Sequence, residues 1–371
     1  MISVLHVLNK FDLSEGGPPR SVYNLIQGLN KLNIKTYLIS SRKNKKYFSN
    51  QMYIGNNFID RFSIPNLQLI NELKNKIKFY DIVHVHCMWN VISTITFLFA
   101  KFYKKKIIFS PHGTMDKNNL KKNYLLKKIY HTFFEKYNIS KIDLVHFLSY
   151  EEKKNSVLLD NKKSFVSNNG LNLNEFKFTK TKKSNLFSKK FFNILNIGRF
   201  NKIKGIELQF ELIKILNLQS KKFKLTLIGP NDSNRLFYEK LSKQMKISKY
   251  VRFISPIYSN RRFKIMHDSD LLINTSNYEC NSMVILEALA SGALVLAVEN
   301  ANISHQYNFR ALIKTKRNIK NISDNINLLL KNPKIGKKIR NTACRYAKKH
   351  LDIDLLSKNL LKEYIKLSNT I

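Results

Sequence analysis

Short apolar runs, many of them β-branched, recur along the first half of the chain. They are ISVLHVLN (2–9), KTYLIS (35–40), DIVHVHC (81–87), KIIFSP (106–111) and IDLVHFLS (142–149). They show little polar alternation, which is the pattern of parallel strands covered on both faces. Amphipathic stretches separate them, such as PRSVYNLIQGLNKL (19–32), whose Pro19 suits a first helical turn. Strands interleaved with helices predict βαβ units and a doubly wound sheet. A second series of strands is expected at 191–198, 223–230, 251–255, 270–276 and 293–298, and the stretch 317–369 reads as helical throughout. The lysine-, serine- and threonine-rich KFTKTKKSNLFSKK (177–190) reads as a linker. At 371 residues the chain suits two cores. The expected architecture is α/β, with Rossmann-like domains at 1–176 and 191–350 facing each other across a cleft. A C-terminal helix at 351–371 should pack back towards the first domain.

Composition narrows the classes. A 43% hydrophobic and 12% aromatic content supports packed interiors rather than disorder. The apolar N-terminus has no basic leader ahead of it and reads as a first strand rather than a signal peptide. The most hydrophobic window, VISTITFLFAKF, is too short for a membrane span. Three cysteines, far apart and without a CxxC, fit a reduced, cytoplasmic setting. Lys and Arg number 65 against 25 acids, a net charge of +40. Such a field attracts nucleic acid or an anionic membrane surface, and lysines merely coating solvated faces would give the same count. No aromatic-rich basic motif for single strands is present, so no nucleic-acid partner is expected. In so basic a chain a single lysine says little, whereas a glutamate inside an apolar run is informative.

Ligands of open α/β sheets lie beyond the carboxyl ends of strands, where loops feed helix N-termini. No GxGxxG and no Walker A motif occurs, which removes most support for a dinucleotide enzyme or a P-loop NTPase. In SEGGPPRSV (14–22), Gly16 and Gly17 let backbone amides approach an anion, and a plain turn would read the same. In SPHGTMD (110–116), His112 follows Pro111 at a strand end and precedes Gly113, a ligand position. His84 and His86 read as core or near-core residues. HxH without a nearby Cys or carboxylate set is a poor zinc site. NIGRFNKIKGIE (196–207) ends a strand at Gly198, then carries Arg199, Lys202 and Lys204 before Gly205 opens a helix. The arginine's planar fork and the lysine's point charge together suit a diphosphate. Finally, NYECNSMVILEALASG holds Glu279 in a loop and Glu287 within an apolar helix. Burying Glu287 is costly unless donors meet it, and either ligand hydroxyls or protein groups would serve.

Glu279 and Glu287, with seven residues between them and ALASG after them, resemble the E-x7-E motif of the GT-B retaining glycosyltransferases of family 4. GGPPRSVYNLIQGLN, DIVHVHCMW, SPHGTMD, VSNNGLNLNEF and IGRFNKIKGI match that family's other landmarks in order, so the resemblance spans essentially the whole chain. It implies a nucleotide-diphosphate sugar donor of UDP or GDP type and no metal. Gly16, Gly17, Gly198, Arg199 and Lys204 would lie near the diphosphate and Glu287 at the ribose, while Glu279, Asn281, Ser282 and Met283 would meet the sugar. His112, Glu279, Arg199 and Lys204 would form the catalytic set. Lipid-linked glycan acceptors of polysaccharide or lipopolysaccharide synthesis, at the inner face of the membrane, would be the partners. The family's EGFG-like turn reads ECNS here (279–282), which leaves the donor sugar open and keeps a non-catalytic member in play. An epimerase of the same architecture and a nucleic-acid-binding protein are the other readings.

Overall fold

The computed structural model describes residues 2–13, 16–41, 52–55, 57–59, 64–176, 184–219, 222–299 and 310–369. It divides into two compact units, Met1–Gly170 with Ile353–Ile371, and Leu171–Asp352. The units thus change over at Gly170–Leu171 and Asp352–Ile353, where the sequence put the borders at 176 and 350; residues 177–183 of the expected linker lie outside the described residues.

In the first unit the strands are β1 (Ser3–Leu8), β2 (Lys35–Ser40), β3 (Met52–Ile54), the ribbon pair β4 (Asn57–Ile59) and β5 (Ile64–Pro65), β6 (Ile82–His86), β7 (Lys106–Ser110), β8 (Leu144–Phe147) and β9 (Ser164–Val166). Seven of them form one sheet in the order β3-β2-β1-β6-β7-β8-β9. Its pairings are parallel throughout. Every residue of β1, β6 and β8 is buried, as strands roofed by helices on both faces must be. The C-terminal helix Ile353–Ser368 belongs to this unit. Its Leu360, Tyr364 and Leu367 join Val4, Leu29, Ile82, Ile108 and Leu144 in one core. It lies so close to the helix Gly17–Lys31 that a Cβ on Gly28 would strike Ser357 and Ile353.

The second unit contains β10 (Phe192–Ile197), β11 (Phe223–Ile228), β12 (Val251–Ile254), β13 (Leu271–Asn274), β14 (Val295–Val298) and β15 (Ile313–Thr315), in the order β12-β11-β10-β13-β14-β15. Helices 319–331 and 333–350 complete it. In both sheets the order reverses beside the first strand, between β1 and β6 and between β10 and β13. The loops leaving those strands diverge there, which is where doubly wound sheets bind ligands. All the loops singled out from the sequence leave strands at, or next to, these points.

Candidate active site

In the second unit, the loop after β10 and the loop after β13 are fastened to each other. Thr275 donates its hydroxyl to the carbonyls of Lys204 and Gly205, and itself accepts from Gln209 Nε2 at 2.7 Å. Asn277 N donates to Ile203 O at 2.7 Å. Gly205 is obligatory at this crossing. It sits at φ +62°, and a Cβ there would collide with the Thr275 carbonyl. The clamped loops bring Lys204 Nζ to 2.5 Å from Glu279 Oε1, which also accepts from Ser276 Oγ at 2.8 Å. Arg199, on the same loop, is exposed and makes no ion pair or hydrogen bond among the described residues. Asn281, Ser282 and Met283 are buried where the helix Met283–Ala290 starts, and no side chain caps that helix. Its first amides are therefore orphan donors.

Glu287 is 2% exposed, inside that helix. Its partner is Arg262, which sends Nη2 to Oε1 at 3.0 Å and Nε to Oε2 at 3.5 Å. Arg262 itself is buried and donates Nη1 to the carbonyls of Tyr258 and Ser259. A protein cation thus supplies donors to the buried carboxylate. Lys204 faces Glu279, and the guanidinium on Glu287 is that of Arg262.

In the first unit, the backbone turns sharply at the strand ends. Cys87 and Trp89, after β6, have φ of +64° and +68°, and His112, after β7, has φ +50°. Left-handed conformations at non-glycine residues cost roughly 1–3 kcal/mol each and cluster where function fixes the chain. Glu152 holds the His112 turn in place, accepting from Gly113 N at 2.6 Å and from Leu148 N at 2.7 Å. Gly16, at φ +118°, begins the helix Gly17–Lys31, and no side chain caps it either. His112 Nε2 lies 3.0 Å from His86 Nδ1, and His86 Nε2 lies 3.0 Å from His6 Nδ1. Burial lowers the pKa of both His112 and His6 to about 3. His6, His84 and His86 cluster closely enough for a metal ion. Both nitrogens of His84 and of His86 are already engaged in hydrogen bonds, so the donor set suits protons better than a cation.

A model of glycosyltransferase family 4 matches residues 15–175, and a model of group 1 glycosyl transferases matches residues 177–350. The chain belongs to the group 1, family 4 glycosyltransferases. An uncharacterized 41.2 kDa protein in the cps region of Klebsiella pneumoniae is 25% identical over 311 residues, covering 81% of this glycosyltransferase and 82% of its relative. Anabaena HepE, solved with UDP and glucose, superimposes with a TM-score of 0.81 at 12% identity, over 99% of this chain and 100% of that one. A glycosyltransferase from Rickettsia africae does so with a TM-score of 0.76 at 19% identity, over 100% and 99%. At such identities these structures establish the GT-B fold of the glycosyltransferase.

Two residues of the site were not anticipated. Arg262 falls at i with Ile265 and Met266 at i+3 and i+4, all buried, so a charge on an apolar stripe was its signal. His6 is adjacent to His84 in the β1–β6 register, a neighbour that only the topology reveals.

Proposed function

We propose that this glycosyltransferase moves a sugar from a UDP- or GDP-type nucleotide sugar to a hydroxyl of a lipid-linked glycan acceptor in surface polysaccharide synthesis, with retention of configuration. The observation that carries this reading is the Lys204–Glu279 pair at the switch point, with Arg199 unpaired beside it. An arriving diphosphate offers Lys204 a stronger partner than one carboxylate. The ammonium swings to phosphate, and Glu279, still held by Ser276, is released to accept from sugar hydroxyls. Arg199, Lys204 and the first amides of the helix Met283–Ala290, with Gly198 leaving room for the approach, then stabilise the charge that grows on the leaving group.

In that step the bond from the anomeric carbon to the phosphate oxygen breaks while the acceptor oxygen bonds to the same face. The acceptor's proton passes to the departing phosphate, so no enzyme carboxylate has to be glycosylated. In the first unit Gly16 and Gly17 offer amides to phosphate, and His112 a hydrogen bond to a substrate oxygen. Support for the donor class comes from Anabaena HepE, solved with UDP-glucose, and for the process from the cps-region relative. A thermal-shift panel of nucleotide sugars tests the reading. One UDP- or GDP-sugar should raise the melting temperature, with about 2.7 kcal/mol of stabilisation at a hundred times Kd, and Lys204→Met should abolish the shift. A flat response across the panel overturns it.

The acceptor side has its own support. Between Tyr124 and Ser140 the chain runs as helix, a π turn at His131–Glu135 and helix again. Leu125, Leu126, Ile129 and Phe133 are 74%, 66%, 58% and 72% exposed there, with Lys121, Lys122, Lys128 and Lys136 exposed alongside. Soluble surfaces seldom leave such side chains together in water. Among the described residues no helix is long and apolar enough to cross a membrane. The segment suits shallow insertion into an anionic leaflet on the cytoplasmic side, each nearby cation adding about 1 kcal/mol. Co-sedimentation should favour anionic over neutral vesicles and fall in a Leu125→Ser, Phe133→Ser variant. Equal binding to both vesicle types removes this reading.

A further inference from the structure

The buried histidines of the first unit form two hydrogen-bonded chains, and their ends differ. One runs from Tyr364 through His84, Ser110 and His146 to the carbonyl of Ser167, with separations of 2.7, 2.8, 3.1 and 3.0 Å. A carbonyl only accepts, so His146 Nε2 carries the proton and its Nδ1 accepts from the Ser110 hydroxyl. Ser110 Oγ then accepts from His84 Nε2–H, which leaves His84 Nδ1 to accept from the Tyr364 hydroxyl. Every proton in this chain has a fixed address.

The other chain is His6–His86–His112, and no carbonyl anchors it. His6 Nε2 is buried and has no partner among the described residues. At the opposite end, His112 Nδ1 has none either and, unlike His6 Nε2, is not among the sealed-off atoms. All three rings are neutral, because burial holds their pKa values well under the usual range. Each ring then has one N–H, and only two arrangements satisfy both 3.0 Å contacts. With protons pointing outward, His6 Nδ1–H donates to His86 Nε2 and His86 Nδ1–H donates to His112 Nε2, so His112 exposes Nδ1–H. With protons pointing inward, His6 Nε2 becomes a buried N–H without an acceptor. Orphaned buried donors are rarer in proteins than orphaned acceptors. The outward arrangement is therefore the resting one.

We propose that His6 and His86 are positioning residues that lock His112 as an Nδ1–H tautomer, so that it donates a hydrogen bond to substrate oxygen rather than acting as a base. The role at substrate rests on the function proposed above, but the tautomer does not. His84 supports the arrangement sideways, its ring stacked on His86 with centroids 4.2 Å apart, and its own protons are already fixed.

Long-range proton–nitrogen NMR on protein labelled with nitrogen-15 histidine reads the tautomer without substrate. The His112 signals should show a protonated Nδ1 and a bare Nε2 at neutral pH. A protonated Nε2, an imidazolium, or zinc retained in stoichiometric amount by the purified protein overturns the assignment. His86→Phe removes the relay. It should mix the His112 tautomers and lower kcat and kcat/KM together by about tenfold or more, with KM for the donor little changed. If that variant fails to fold, His6→Asn, which disturbs only the far end, should show the same tautomer mixing. An unchanged His112 signature in a folded variant overturns the positioning role. The NMR result and the thermal-shift panel fail independently, so the two readings can be told apart.

Discussion

Lowering the pH from about 7.5 to about 5.5 should destabilise the first unit far more than ordinary surface titration would. His6, His84, His86 and His146 are all at least nine-tenths buried, and desolvation holds each neutral well below its usual range. In the unfolded chain these groups take up protons around pH 6.5, while the folded unit refuses them until far lower. Stability present above the unfolded pKa is therefore lost as the pH falls. At about pH 5.5 each such histidine costs about 1.4 kcal/mol, so the four together cost about 5–6 kcal/mol. Glu135 works the other way. Burial raises its pKa to about 7, so the folded unit takes up that proton early. Over the same interval it returns about 2 kcal/mol, leaving a net loss of about 4 kcal/mol. The half-buried His112 adds in the histidines' direction, and the partly exposed His131 and His350 are screened by water.

The chain has a single tryptophan, Trp89, whose Nε1 donates to Thr114 O at 2.9 Å within the first unit. Its fluorescence therefore reports this unit alone. With a urea m-value of about 2 kcal/mol per molar, the unfolding midpoint should fall by about 2 M between the two pH values. A midpoint that stays put or rises would mean that the histidines are solvated or charged at neutral pH. The neutral chains described above would then be wrong.

Other outcomes follow from single contacts. Arg262→Leu strands Glu287 as a buried lone carboxylate and should cost about 3–5 kcal/mol by calorimetry, most of it recovered when Glu287→Leu is added. Gly205→Ala must hold φ +62° against the Thr275 carbonyl; it should cost at least about 1 kcal/mol in thermal unfolding and weaken donor binding, because the two loops part. Tyr364→Phe removes the donor to His84 Nδ1 and should cost about 1–3 kcal/mol, read from Trp89 fluorescence during urea unfolding.

Much of this fold could be read from the sequence because its central strands are buried on both faces and so write continuous apolar runs. β1, β2, β6 and β10 lie at the expected places to within a residue at each end. β3, β9 and β15 went unpredicted because each is three residues long and lies at a sheet edge. The helical run between 118 and 137 is interrupted by left-handed Asn123 and by the π turn, neither of which disturbs its periodicity enough to show in composition. In the site, Glu279 and Glu287 stood out because acid is scarce. Lys204 stood out only through its loop, and Arg262, the partner of Glu287, did not, because 65 basic residues make one arginine indistinguishable from the rest. His6 was hidden for a different reason, since a lone histidine in a strand gains its meaning only from the register that sets it beside His84.

The two glutamates of the motif, alike in sequence, have been given different physical tasks. Glu279 and Lys204 keep 13% and 20% of their side chains open, so water and ligand can reach the pair and exchange its partners. Glu287 and Arg262 keep only 3% and 10%, and the guanidinium is further tied to two carbonyls, so that pair is shut off from ligand and water. On the function proposed above, the accessible pair in the loop adapts to a charged ligand while the buried pair beneath it holds the helix N-terminus that receives it. The chain's large positive charge has little part in this. On the same proposed function, the loop cation is held in check by one carboxylate until a better anion arrives, and that restraint would let a surface crowded with lysines keep a selective site.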